Sequence, residues 1–217
     1  MPVHLDQIDG VSILHLGDDE NRFTLEWLDQ VEAAIAQVAD AAPGALVTVG
    51  DGRFYSNGLH LETLLDPEIG GTTYANRVEK LFATVMALPV PTVAAVNGHA
   101  FGAGAMLAIA HDFRLMNTEK GFFCFPEIDI KIPFSTGMAA LIQAKTTPAT
   151  ANEAMTTGRR YNGPDAVDRG LVDTAVAPND LIDAAKAIAA PLADKDPATL
   201  AAIKETMYAT PLTALRE

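Results

Sequence analysis

Cysteine is almost absent. Cys124 is the only one in 217 residues, which rules out an internal disulfide and a cysteine-rich metal site. It lies in the apolar run 122–125, where a buried core thiol is the simplest reading. Cations are also scarce. Fifteen Lys and Arg stand against 28 Asp and Glu, a formal net charge of −13. A nucleic-acid partner is therefore not expected, because neutralising phosphates requires clustered Lys and Arg. A small anionic ligand needs only a few local donors and stays open. No run of about 18 apolar residues occurs, so no helix spanning a membrane is expected. The first ten residues lack a basic region followed by an apolar one, so no secretory signal is expected and the setting is read as cytoplasmic.

With 49% hydrophobic and 20% charged residues, the chain can build a substantial core in one globular domain. Its most informative stretch is 90–133. An apolar strand over 92–97 leads into a turn of small residues over 98–104, and an apolar helix follows over 105–110. Such a turn presents free N–H groups at a helix N-terminus, where the dipole favours negative charge. Glu127 follows Pro126 within an apolar stretch. A fixed N–H donor near a half-buried carboxylate suggests an oxyanion hole with an acid/base, hence enolate chemistry.

Elsewhere, strand and helix alternate early and helices dominate later. Asp9-Gly10 breaks an alternating stretch and predicts a β-hairpin over 3–17. Thr24 offers an N-cap to a helix over 25–39 with Leu28, Val31, Ile35 and Val38 on one face. A strand is expected over 45–50, a loop over 51–58, and a helix over 74–88 ended by Pro89 and Pro91. Short strands are expected over 112–117, 121–125 and 171–176. Helices are expected over 135–143, 148–156, 163–169, 179–192 and 197–209. The rhythm predicts a layered α/β core.

Four stretches resemble the crotonase, or enoyl-CoA hydratase/isomerase, family. Residues 52–61 are similar to its G-x-x-F-S-x-G-x-D-L loop. Residues 91–104 are similar to its P-x-[VI]-A-A-[VI]-N-G segment with the glycine-rich turn. Pro126-Glu127-Ile128 with Ile132-Pro133, and 157–161 with Ala166 and 170–173, resemble the later motifs. They run in order over most of the chain. The resemblance implies a crotonase-type ββα spiral core over 1–177. It also implies a C-terminal helical region over 178–217 that packs at a trimer interface, the assembly being a homotrimer or a dimer of trimers. The substrate would be an acyl-CoA thioester, with no cofactor beyond that coenzyme A and no metal.

The resemblance also assigns roles. The N–H groups of Leu59 and Ala103 would hold the thioester oxygen, and Glu127 would move the proton. Ser56, Asn57, Gly58, Gly102, Met106, Arg22 and Lys204 would line or reach the substrate, Lys204 from a neighbouring subunit. The family's hydratases use a second carboxylate shortly after the glycine-rich turn, and Met106 stands there. Moving a double bond from the 3,4 to the 2,3 position needs one base, whereas adding water needs more. His99-Ala100, Ala110-His111-Asp112 and Glu127-Ile128-Asp129-Ile130 resemble the short Δ3,Δ2-enoyl-CoA isomerases, and fatty acid oxidation is the implied setting. Two departures are Lys131, where the family usually has Gly, and His60, where Asp is common. The alternatives are a hydratase or other enolate-forming acyl-CoA enzyme, and a non-catalytic acyl-CoA-binding member. His99 and His111 are read as structural.

Overall fold

The computed structural model describes residues 2–217. Six strands form one sheet: β1 (His4–Ile8), β2 (Val11–His15), β3 (Ala45–Val49), β5 (Thr92–Val96), β7 (Phe113–Asn117) and β9 (Thr174–Val176). Their spatial order is β1-β2-β3-β5-β7-β9, antiparallel between β1 and β2 and parallel thereafter. Three short parallel strands, β4 (Phe54–Ser56), β6 (His99–Phe101) and β8 (Phe123–Cys124), form a second sheet. The helices are α1 (Leu25–Asp40), α2 (Leu61–Leu65), α3 (Gly71–Met86), α4 (Ala103–Ala110), α5 (Glu127–Ile130), α6 (Thr136–Lys145), α7 (Pro148–Thr157), α8 (Gly163–Asp168), α9 (Leu181–Ala189), α10 (Pro197–Met207) and α11 (Ala209–Arg216). Successive turns of the chain thus add one strand to each sheet and then a helix, the ββα spiral expected.

The hairpin forms as predicted. Asp9 and Gly10 both take positive φ, 51° and 80°, as a type I′ turn requires. In the main sheet alternate residues face opposite ways. Val11, Ile13, Val47, Val93 and Leu115 pack under Leu181, Ala185 and Ala189 of α9. Leu14, Leu46, Ala94 and Met116 belong to the larger core with α1, α3 and α4. Both faces are covered, so β3 and β5 are buried throughout, which explains their unbroken apolar sequences.

Residues 178–217 pack on this same chain. Helix α9 roofs the sheet, and α11 lies against α3 and α6. Several boundaries moved. Helix α3 starts at Gly71 instead of Tyr74, and the expected 171–176 strand is reduced to Thr174–Val176. The helix expected over 197–209 ends at Met207, and α11, not anticipated, follows it after Tyr208. No described helix is long and apolar enough to cross a membrane.

Candidate active site

Two loops meet at one point. The first leaves β4 through Ser56, which is fully buried. Its hydroxyl donates to Asn21 O at 2.7 Å and accepts from Gly58 N at 3.0 Å. Asn57 N donates to Glu20 O, and Phe23 N donates to Gly58 O. The second loop is the turn from β6 into α4. Gly58 has φ +76°, and a β-carbon on it would stand 2.9 Å from Ala103 N and 2.6 Å from Phe101 O. Only glycine permits both that conformation and that approach. The contact brings the Leu59 and Ala103 amides into neighbourhood. Ala103 opens α4, whose N-cap Gly102 supplies no side-chain capping bond. Among the described residues neither of these two N–H groups has an acceptor.

The two amides border a cavity of about 280 Å³ lined by Leu59, Gly102, Ala103, Met106 and Glu127, with Leu61, Phe101, Ile130, Ile132 and Met138 as apolar walls. Glu127 begins the short helix α5 and is 8% exposed. Its Oε2 is buried without a hydrogen-bond partner. Desolvation pushes its pKa up to about 7, because burial penalises the charged form. A carboxylate so placed is a competent base near neutral pH. Met106 is buried one turn into α4 and brings no proton-transfer group to the cavity.

Asn57 and Arg22 also line the cavity. The Arg22 guanidinium donates to Glu20 Oε2 and to Leu59 O. Ser56 and Gly58, expected at the substrate, are not among the residues lining this cavity, and their hydrogen bonds shape the loop. Lys204 is a correction. It is 2% exposed, and its ammonium donates to Leu88 O at 3.0 Å, Val90 O at 2.9 Å and Asp112 Oδ2 at 2.6 Å. All three hydrogens are used, so this lysine clasps α10 to the β5 region and has none left for a phosphate.

The other candidates fall into place as structure. His111 is fully buried, its Nδ1 donating to Leu107 O and its Nε2 bonded to Thr48 Oγ1; burial drives its pKa down to about 4. His99 sits among Phe54, Phe101 and Phe122. His60 accepts from Thr63 N as the N-cap of α2, the task an Asp would perform there. Lys131 takes the left-handed conformation, φ 59° and ψ 33°, which accounts for the family's usual Gly. The Cys124 thiol is pushed up to about 12 by burial, so it is no nucleophile. Asn21, buried and donating to Gly17 O, Phe54 O and Tyr55 O, ties the end of β4 to the segment that follows β2. Sequence reading missed it, since a lone Asn carries no periodic signal.

A family model described as enoyl-CoA hydratase/isomerase matches residues 8–216. The chain belongs to the crotonase family. Two curated relatives from Arabidopsis thaliana are similar at 34% identity. They are enoyl-CoA delta isomerase 3, over 73% of this chain and 70% of the relative, and the peroxisomal enoyl-CoA delta isomerase 1, over 79% and 73%. A carnitinyl-CoA dehydratase from Salmonella enteritidis is 32% identical over 76% of this chain and 63% of the relative. Among solved structures, a Mycobacterium tuberculosis protein superposes with TM-score 0.90 and 24% identity. One structure of it is called a probable enoyl-CoA hydratase and covers 100% of this chain and 92% of that one; the other is called an enoyl-CoA isomerase and covers 99% and 94%. The crotonase fold is shared across both names, so the choice between reactions rests on the side chains in the cavity.

Proposed function

We propose that this crotonase isomerises 3-enoyl-CoA to 2-enoyl-CoA in fatty acid oxidation, through a thioester enolate. The observation that carries the reading is one desolvated carboxylate, Glu127, with its Oε2 unpartnered, in a cavity where Met106 stands at the place of the hydratases' second carboxylate. Ionised Glu127 removes a proton from C2. Electron density moves to the thioester oxygen, which the Leu59 and Ala103 N–H groups stabilise as an oxyanion. The double bond shifts to the 2,3 position as C4 takes the proton back from Glu127. Atoms and charge balance with no second acid and no metal. The delta-isomerase names of two relatives support the same reading.

A second reading is dehydration or hydration at C3, which the carnitinyl-CoA dehydratase relative favours. It shares the enolate but must also move oxygen at C3, for which Met106 offers no help. A homotrimer or dimer of trimers and a cytoplasmic setting belong to the proposal too. Ile203 and Met207, exposed on α10, are apolar surface that such an assembly could cover. The test is to give purified protein cis-3-, trans-3- and trans-2-enoyl-CoA and follow conjugation and hydration separately. Conjugation of a 3-enoyl-CoA is expected to dominate. No Glu127-dependent turnover of any of the three would leave only an acyl-CoA-binding role.

A further inference from the structure

We propose that His4, Asp6 and His15 form a binding site for one divalent transition-metal ion of the zinc class at the edge of the six-stranded sheet. None of the three lines the Glu127 cavity. Antiparallel pairing places His4 directly opposite His15 and Asp6 opposite Ile13. Residues two apart on a strand share a face, so His4 and Asp6 stand side by side with His15 across from them. One ligand atom from each lies within 4.8 Å of the others, and His15 Nε2 is 3.7 Å from Asp6 Oδ2.

The hydrogen bonds on the far side of each ring set up the donors. His4 Nδ1 is 3.1 Å from Pro2 O, and His15 Nδ1 is 2.6 Å from Asp51 Oδ1. Both partners are acceptors only, so each Nδ1 carries a proton, which leaves Nε2 as the nitrogen that a metal ion would take. A carboxylate behind a ligating imidazole is the usual outer shell of a metal-bound histidine. A second observation comes from Asp51 itself. Its side chain is only 12% exposed, and its Oδ2 is buried without a partner. That oxygen has no donor of its own, and a cation on the other side of His15 would add favourable charge beside it.

Two imidazoles and one carboxylate, with room left for water, suit zinc and its transition-metal neighbours. Calcium and magnesium prefer all-oxygen sites. The two rings now stack, centroids 4.2 Å apart and planes at 7°, so their Nε2 lone pairs lie in parallel planes. One ring must turn for them to converge. Asp51 fixes His15, so the turn falls to His4, which in turning gives up its single bond to Pro2 O. Strand β1 is the sheet's edge and pairs only with β2. The ion would pin that edge strand, a structural role.

The experiment is a calorimetric titration of tag-free protein with zinc chloride, with melting temperature as a second readout. One ion per chain is expected, with binding lost in His15→Ala and Asp6→Ala and retained in His60→Ala. Asp51→Asn should weaken binding by about 10–100-fold. Zinc should raise the melting temperature of wild type, because it binds only the folded state, and leave that of His15→Ala unmoved. Absence of saturable uptake, or uptake by His15→Ala equal to wild type, overturns the site. So does a His15→Ala variant that melts earlier by the same margin with and without zinc when zinc leaves wild type unmoved, since that marks a histidine–carboxylate ion pair and nothing more.

Discussion

Gly102 faces the Glu127 carboxylate so closely that a β-carbon on it would stand 3.3 Å from Oε1. Gly102 also holds φ 53° and ψ −123°, a conformation L side chains rarely adopt. The residue before the proposed Ala103 donor is thus the residue against the proposed proton carrier, and one small position separates the two. Gly102→Ala should strain the turn by about 1–3 kcal/mol. It should also displace the carboxylate, lowering turnover by up to about 10²-fold. Steady-state kinetics on a variant shown to be folded will decide; wild-type turnover would mean that this spacing is not part of the machinery.

Glu127→Gln keeps the shape and removes proton transfer, so turnover should fall by about 10²–10⁴-fold. The same change should alter stability in a direction fixed by the raised pKa. Folded Glu127 holds its proton up to about 7 against a reference of 4.5. Its contribution to stability is therefore fully present below about 4.5 and lost as pH rises through about 7. Glu127→Gln should be more stable than wild type above pH 7, by about 3 kcal/mol at most, with the gap closing toward pH 4.5. Urea denaturation of both proteins across that range measures it. For the wild-type enzyme kcat/KM should rise with pH and level off above about 7, as the base form accumulates.

Ala103 is the first residue of α4, a position where proline is tolerated because its N–H has no helical partner. Ala103→Pro should therefore fold yet lose one oxyanion donor, a loss of about 2.7–4 kcal/mol of transition-state stabilisation. Ala103→Gly keeps the N–H and should keep most of the activity. Circular dichroism on the proline variant separates lost donor from lost fold, and equal activity in a folded Ala103→Pro would remove this turn from the mechanism.

Part of this site was legible from local physical demand, while the choice of Leu59 and Ala103 as the donors is what the family resemblance implies. The glycine turn, the Pro-Glu pair and the apolar strand before them read directly as strand, N–H donor and carboxylate. What stayed hidden depends on distant chain. Nothing near Lys204 signals that it reaches Asp112, 92 residues away, so a helix lysine in sequence looks like a surface charge. Helix α11 is short and carries a proline, and it owes its place to packing on α3 and α6. The His4–Asp6–His15 cluster needs the hairpin register before three scattered residues become neighbours. The methionines divide in the same way: Met106 and Met138 line the cavity while Met86 and Met116 are core, a distinction helical spacing alone does not make.

Lys204→Met tests the corrected reading of that lysine. Burial lowers the Lys204 pKa while Asp112 opposes the shift, and removing one partner leaves the Asp112 carboxylate, 15% exposed, without its cation. Breaking a buried pair costs about 3–5 kcal/mol. Chemical denaturation should show a large loss of stability, while KM for enoyl-CoA stays near wild type in the folded fraction. A raised KM with unchanged stability would restore the ligand role.

On the proposed reading, Met106 sets which reaction the cavity favours. It lies on the first turn of α4, and its N–H donates to Gly102 O at 3.0 Å, so its side chain follows the Ala103 donor into the same space. Wild type should conjugate 3-enoyl-CoA well and hydrate trans-2-enoyl-CoA poorly, because water there finds Glu127 alone. Met106→Glu places a second carboxylate where the family's hydratases keep one and should gain measurable hydration. Its stability should drop, since Met106 is 1% exposed and burying a charge is costly unless it is paired. The two carboxylates would also raise each other's pKa, so the gain should grow with pH above about 7. The native protein gives the sharper result: hydration of trans-2-enoyl-CoA faster than isomerisation of every 3-enoyl-CoA would sink the isomerase reading and put the hydratase in its place.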